Sequence, residues 1–223
     1  TYAMSFRRGE PGIFDDKKGI KPDNPFKPFE DGSILREVGK VGKNVTGTRV
    51  RYWVDPQIFI KDAVFAIDEL SARARQTAFL VPGLSLGIDD AREGKSNKQE
   101  FKFAGGIIEY AEYLAKDAPL TSTWRLSGAG SFSETVPVLD SSGNMVSKEV
   151  ERNCEVDIAV RWGTGYDTDV KSYVNIIATP KGGTHIQGFE QSLLKTLRAQ
   201  IDSNARKLKL GNDKVEKDRK SVV

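Results

Sequence analysis

The feature that most constrains this chain is the stretch over residues 172–198, in which an apolar run, a glycine turn and a long amphipathic pattern follow directly on one another. Residues 173–177 include Tyr, Val and two Ile, and such aromatic and β-branched runs are typical of a strand. Pro180, Gly182 and Gly183 then predict a turn, because proline and glycine interrupt strand pairing. The stretch therefore predicts a strand, a tight turn and a helix, in that order.

The helix is predicted to begin at Thr184. Thr184 and Gln187 have the spacing of a capping box, in which the two side chains satisfy backbone N–H groups of the first turn. Apolar residues then recur at intervals of three, four or seven, which is the period of one helical face, and such a face needs a sheet to cover it. The predicted stripe consists of Ile186, Phe189, Leu193, Leu197, Ile201 and Leu208.

Length and composition predict a soluble globular protein. A chain of 223 residues allows one large domain or two small ones, since domains usually contain about 100 to 200 residues. Hydrophobic residues make up 38% and charged residues 29%, and no apolar run approaches the length of a membrane span, about 18 residues. The net charge of +3 is too small to indicate nucleic-acid binding by itself. Basic residues concentrate near the C-terminus, where they suit a solvated helix end or a phosphate-contacting patch.

The chain has one cysteine and one histidine. Cys154 excludes an internal disulfide framework, fits a reducing cytoplasm, and is expected to be a small buried hydrophobic residue. A single histidine excludes a cluster of histidine metal ligands, and His185 is expected to be neutral and to position the glycine turn. No catalytic triad, phosphate-binding lysine motif or carboxylate metal site can be assembled from the remaining residues, so no metal site is predicted.

The first half of the chain opens with an alternating pattern, as expected of a fragment whose first strand has lost partners upstream. In chain order, the first predicted elements are a strand over residues 1–9, a loop with at most short strands over 10–42 and a strand over 45–54. A helix over 62–80, which Asp62 can cap, and a hairpin over 84–103 follow. The last is a helix over 105–114, whose residues Ile107, Ile108, Ala111 and Leu114 are predicted to pack inward.

A domain boundary is predicted between residues 118 and 119, because Asp, Pro and Thr residues interrupt the pattern there. Beyond it, strands are predicted over residues 123–126, 131–139 and 156–162, with a Ser-Ser-Gly-Asn turn at 141–144. Together with the strand over 173–177 and the long helix, these strands predict an α+β layer in which the helix covers a sheet.

Four ordered stretches carry a resemblance to a known family. TPKGGTHIQGF resembles the signature of the transducer domain in bacterial type IIA topoisomerases, the B subunits of DNA gyrase and topoisomerase IV. TGTRVRYWVDPQIF, RARQTAFLVPGL and FAGGIIEYAEYL lie upstream in the order of that family, and the resemblance runs from about residue 46 to about residue 217. It implies that residues 1–118 are the C-terminal part of a GHKL (Bergerat) ATPase α/β sandwich. Residues 119–223 would then be a transducer domain, incomplete at its C-terminus, of the ribosomal-protein-like β-α-β fold with a left-handed crossover.

The resemblance also implies site residues. Thr48 would reach the adenine edge of ATP through water and Val50 would line the same pocket, although a threonine in this turn would by itself be ordinary. The sequence departs from the family at Glu190, where relatives often carry Arg, and in the run YVNII, where many relatives have two consecutive Asn and only Asn175 remains. The transducer turn and helix start would be Gly182, Gly183, Thr184, His185, Gly188 and Phe189, and the candidates for a DNA cavity are Arg198, Arg206, Lys207 and Lys209.

The function implied is a share in an ATP-dependent type II DNA topoisomerase, an isomerase that passes one duplex through another. Its expected cofactors are ATP and Mg2+, whose main ligands would lie outside this stretch, so the stretch alone is expected to be inactive. Expected partners are a DNA duplex, a topoisomerase A subunit in an A2B2 heterotetramer and a second B subunit that dimerises on ATP binding. The expected location is the bacterial cytoplasm near the nucleoid, and no membrane association is expected. The alternative is a stand-alone, non-catalytic module that binds nucleic acid or protein through its basic helix, and gyrase is not separated from topoisomerase IV.

Overall fold

The computed structural model describes residues 1–15, 21–30, 34–60, 63–92, 94 and 96–208, apart from the side chains of Arg206 and Leu208. Two compact units divide the chain, Thr1–Phe65 and Ala66–Val223. The second unit includes residues on both sides of position 118, and the domain boundary predicted there stays a prediction.

The first unit contains five short strands. A two-residue turn joins β2 to β3, and both turn residues have positive φ (Arg8 52°, Gly9 86°), as the turns that match the twist of paired strands require. The loop with short strands that the sequence predicts here is confirmed. The strands are β1 (Tyr2–Ala3), β2 (Ser5–Arg7), β3 (Glu10–Phe14), β4 (Phe26–Pro28) and β5 (Arg36–Glu37), paired antiparallel as β1–β5 and β2–β3–β4.

The strand predicted over residues 45–54 is wrong. None of these residues pairs with another described strand, and Val50 and Tyr52 are 78% and 63% exposed. Beyond them the chain turns at Asp55, whose carboxylate accepts hydrogen bonds from the Gln57 amide (2.9 Å) and the Arg8 side chain (2.8 Å). Alternation identifies a surface suited to half-burial, but a strand forms only where a neighbour satisfies its backbone N–H and C=O groups.

The second unit begins with a helix, a hairpin and another helix, as predicted. Helix α1 begins at Ile67 rather than near residue 62, and the proposed cap Asp62 lies outside the described residues. Asp68 and Glu69 lie in its first turn, where carboxylates are favourable to the helix dipole. The elements are α1 (Ile67–Leu80), β6 (Ser85–Asp90), β7 (Asn97–Lys102) and α2 (Gly106–Leu114).

Aromatic stacking forms the core of these four elements. The ring of Phe79 is 2% exposed and stacks on Phe103 at 3.6 Å and on Tyr110 at 5.0 Å between centroids. Tyr110 is therefore buried, whereas the four α2 residues predicted to pack inward are only half-buried. The prediction for α2 missed its buried tyrosine, because helical periodicity does not reveal that the ring of Tyr110 has another ring to stack on.

A long antiparallel hairpin follows, with 16 residues in each strand, β8 (Trp124–Leu139) and β9 (Met145–Val160). The two strands predicted over 123–126 and 131–139 are one strand, because the small residues between them continue the ladder. The turn is as predicted: the Asp140 carboxylate accepts hydrogen bonds from the Asn144 and Ser142 amides, both 2.8 Å, which lower the pKa of Asp140. Cys154 is exposed rather than buried, since it lies within this largely exposed hairpin.

Two short strands and a long helix complete the described chain: β10 (Tyr173–Val174), β11 (Ile177–Ala178) and α3 (Thr184–Leu208). The predicted apolar stripe of helix α3 is half-buried from Ile186 to Ile201, and no side chain described on α3 is fully buried. All strand pairs in the described residues are antiparallel. The mixed α and β composition is confirmed, whereas the helix-covered sheet and the left-handed crossover stay predictions.

Ser71 provides a test of the core. Its side chain is 7% exposed, and its hydroxyl has no hydrogen-bond partner in the described structure. Ser71→Ala should raise the free energy of unfolding by about 0.5–1.5 kcal/mol, because it removes a buried, unsatisfied hydroxyl and favours the helix. The control is Ser192→Ala on the exposed face of α3, which should change stability less. Chemical denaturation measures both, and a less stable Ser71→Ala protein would contradict the burial.

Candidate functional site

The candidate site is the stretch over residues 172–189. The first part of this stretch differs in structure from the prediction. The predicted single strand over 173–177 is a hairpin, in which β10 pairs with β11. Asn175 and Ile176 form its two-residue turn, with φ of 47° and 68°. The correction has a local cause: two consecutive residues with positive φ reverse the chain within an otherwise strand-like run.

Ile176 is strained in this turn. A β-branched residue rarely adopts positive φ, whereas Asn does so readily because its short polar side chain tolerates the left-handed region. Ile176 is also 46% exposed, so its packing offsets little of the strain.

Two glycines serve different purposes in the next turn. The Gly182 N–H donates to the carbonyl of Thr179 at 2.9 Å, and its φ of 72° is one that glycine adopts without cost. Gly183 leaves room for the His185 ring, because a Cβ atom there would lie 2.9 Å from that ring and one of the two would have to shift. This close approach is consistent with the predicted role of His185 in positioning the glycine turn.

Helix α3 begins at Thr184, as predicted, but not through a capping box. The amides of Ile186 and Gln187 both donate to the carbonyl of Gly183, at 3.1 and 3.2 Å, so Gly183 supplies the first helical acceptor. Thr184 is thus already the first helical residue, and the structure shows no hydrogen bond from its side chain to another described residue. The spacing rule placed the cap one residue too late.

A polar chain joins the hairpin to α3. The Ser172 and Thr179 hydroxyls are 2.6 Å apart, and the Thr179 hydroxyl lies 3.2 Å from Nε2 of His185. The Thr179 amide also donates to the Ser172 carbonyl at 2.8 Å, which closes the base of the hairpin. Sequence reasoning missed Ser172 and Thr179, since serine and threonine beside a Pro-Gly turn are common and give no signal of a shared network.

A second missed pair joins the hairpin to α2. The hydroxyls of Tyr110 and Tyr173 are 2.9 Å apart and their ring centroids 6.1 Å. Burial raises the pKa of Tyr173, and the hydrogen bond to Tyr110 raises it further, because both favour the neutral phenol. No local signal could pair these residues, which lie 63 positions apart.

The predicted DNA-contacting residues are only partly placed. Arg198 and Lys207 lie on α3 with exposed side chains, Arg206 belongs to α3 but its side chain is not described, and Lys209 lies outside the described residues. A helix of 25 residues is about 37 Å long, so cations along it can follow a phosphate backbone over several nucleotides. Gly188 and Phe189 lie in the first turns of the same helix, with Phe189 half-buried in the apolar stripe.

The predicted nucleotide contacts, Thr48 and Val50, lie in the irregular segment of the first unit, and both are exposed. Their role in binding a nucleotide stays a prediction. The described residues also contain no group of three or more His, Cys, Asp or Glu that could hold a metal ion. These two residues do not by themselves fit ATP with Mg2+. No helix within the described ranges is long and apolar enough to cross a membrane.

The strained turn yields a prediction. Ile176→Asn should raise the free energy of unfolding by about 0.5–1 kcal/mol, because Asn adopts the positive φ at lower cost. The matched control is Ile177→Asn, a neighbour in β11 that is 70% exposed and outside the turn, and it should give no gain. Thermal unfolding of the two variants measures the difference. A loss of stability in Ile176→Asn would indicate that the left-handed turn does not form.

Comparison with known proteins assigns the family. A protein-family model described as DNA gyrase B matches residues 106–220. The B subunit of DNA gyrase from Enterococcus faecalis is 32% identical over 193 residues, which cover 86% of this chain and 26% of that protein. The corresponding gyrase protein of Metamycoplasma arthritidis is 30% identical over 218 residues, covering 98% of this chain and 30% of that protein.

Among solved structures, the ATPase domain of Thermus thermophilus gyrase B in complex with an aminocoumarin is similar at 24% identity and a TM-score of 0.48. The match covers 72% of this chain and 37% of that one. The chain spans between about a quarter and a third of the length of the gyrase B relatives it matches. Because the family model matches more than half of the chain, this chain belongs to the DNA gyrase B family.

Proposed function

We propose that this chain is part of an ATP-dependent type II DNA topoisomerase and that it couples the nucleotide site of that enzyme to its DNA gate. The observation that carries the proposal is the Gly182–Gly183 turn, which lies against His185 and starts a 25-residue helix within a family-matched stretch. A turn held by packing and hydrogen bonds at the start of a long helix suits mechanical relay better than chemistry. Gyrase and topoisomerase IV remain two versions of the same proposal.

The proposed domain organisation supports this role. Residues 1–118 would form the end of a GHKL ATPase domain and residues 119–223 a transducer domain with a left-handed β-α-β crossover. The contact between Tyr110 and Tyr173 would then cross the proposed boundary, as a coupling element must. The apolar stripe of α3 and the exposed apolar residues of β8 and β9 support a tighter helix-on-sheet packing in the longer protein.

ATP and Mg2+ are the proposed cofactors of the whole enzyme. Thr48 and Val50 would contribute to the adenine pocket once the segment over residues 45–54 pairs with another strand, and the other ligands would come from outside this stretch. ATP supplies the free energy of dimer closure when it is bound. The chain alone is expected not to hydrolyse ATP, because the resemblance implies that the main ligands of ATP and Mg2+ lie outside this stretch.

The proposed partners are a DNA duplex, a topoisomerase A subunit and a second B subunit, in a bacterial cytoplasm. Arg198, Arg206, Lys207 and Lys209 would face the transported duplex. Lysine and arginine contacts to phosphate supply affinity without reading sequence, which suits an enzyme that must pass any duplex.

The adenine contact is tested in the longer protein encoded by the gene, combined with its A subunit. Thr48→Ala should raise the KM for ATP about fivefold, as expected from the loss of one hydrogen bond worth about 1 kcal/mol. Thr46→Ala, two residues earlier in the same exposed irregular segment, is the control and should leave the KM unchanged. Turnover and relaxation assays at varied ATP give both values.

Equal KM values for Thr48→Ala and wild type would remove Thr48 from the pocket. Failure of the wild type to pass strands with any A subunit would instead reject the topoisomerase assignment. The non-catalytic binding module would then account for the chain, and the basic side of α3 would be the surface to test.

The DNA contact is tested by charge reversal. Arg198→Glu combined with Lys207→Glu should weaken DNA binding and lower the slope of log affinity against log salt by about one for each phosphate that is no longer neutralised. The control is Lys148→Glu on the exposed strand β9, which should change neither. An unchanged salt dependence in the double variant would exclude both residues from the DNA cavity.

A further inference from the structure

We propose that the hydroxyl pair of Tyr110 and Tyr173 is the contact through which helix α2 sets the position of the hairpin β10–β11 and, with it, the first turn of α3. This inference rests on the proposed coupling function and names the residues that carry it. Both tyrosines are positioning residues, because neither touches a reacting atom.

The α2 side of the contact is rigid. Tyr110 is 9% exposed, and its ring lies 5.0 Å from that of Phe79, a residue of α1. Arg75 on α1 donates to the hydroxyl of Tyr113 at 2.7 Å, which fixes α1 and α2 at a second point. A displacement of the two helices therefore carries the Tyr110 hydroxyl with it.

The hairpin on the other side of the contact has little stability of its own. Strands β10 and β11 have two residues each, and a two-stranded ribbon of this size has little stability of its own. In the described structure, the side-chain hydrogen bond between this hairpin and α2 is the one between the hydroxyls of Tyr110 and Tyr173. Burial and this hydrogen bond raise the pKa of the Tyr173 hydroxyl, because both favour the neutral phenol.

The base of the hairpin, opposite its turn, connects the hairpin to the start of α3. Ser172 and Thr179 flank the two strands and bond each other, and Thr179 lies within hydrogen-bond distance of His185. The His185 ring in turn fills the space beside Gly183, whose carbonyl accepts the first amides of α3. A continuous set of contacts thus links α1, α2, the hairpin and the helix start, and coupling requires such a physical path.

Amide hydrogen exchange of this chain tests the contact directly. Tyr110→Phe and Tyr173→Phe each keep the ring and remove one hydroxyl, so exchange at the amides of Ile186 and Gln187 should become about fivefold faster. The double variant should be no faster than either single variant, because both remove the same bond. Tyr113→Phe is the control: it removes a hydroxyl from the same helix, one bonded to Arg75, and should leave exchange at the start of α3 unchanged.

The inference is overturned by unchanged exchange at Ile186 and Gln187. It is equally overturned if the β6–β7 amides accelerate as much as those of α3, since that would indicate general loosening, or if the effects of the two single variants add.

Strand passage by the longer protein with its A subunit tests the consequence. Either Phe variant should keep its ATP turnover and lose about fivefold in strands passed per ATP hydrolysed, whereas Tyr113→Phe should match wild type. An unchanged ratio in both variants overturns the coupling role. A wild-type enzyme without ATP-dependent strand passage rejects the proposed function instead, and the exchange experiment then decides the contact alone.

Discussion

The stacking of Phe79 on Phe103 and Tyr110 is the interaction on which the second unit depends. It buries Phe79, the one large side chain that is almost fully excluded from water among the described residues. Burial of such a ring contributes about 1.5–3 kcal/mol to the free energy of unfolding. The same stack fixes the rotation of α2, because Tyr110 must face Phe79. The Tyr110 hydroxyl is thereby directed away from the stack to Tyr173, where it is hydrogen-bonded without interrupting the apolar core.

Away from this stack, the structure relies on hydrogen bonds across turns rather than on burial. The β8–β9 hairpin and α3 expose much of their apolar surface, and their order comes from backbone ladders, helical bonds and the polar chain at His185. Elements of this kind move more readily than a packed core, because fewer buried contacts must break. The proposed relay between a nucleotide site and a DNA gate would use that combination of a rigid origin and a movable receiver.

The sequence-based predictions failed where the structure of a segment depends on which other segment packs or pairs with it. Residues 45–54 alternate as a strand does, yet no described strand pairs with them, and Val50 is exposed. In contrast, the turn at residues 140–144 was predicted correctly because Asp140 makes its bonds within the turn itself. The candidate site divides in the same way: its glycines and histidine were recognisable from the motif, whereas Ser172, Thr179 and the two tyrosines were not.

By itself the sequence determined the order of the main elements, the start of α3 at Thr184, the glycine turn before it and the family, since each is encoded by residues close together in the chain. Only the tertiary structure decided which face of α2 is buried and that Tyr110 meets Tyr173. The physical reason is that local periodicity specifies how a segment can fold. The identity of its neighbour depends on rings and hydroxyls that lie tens of residues away.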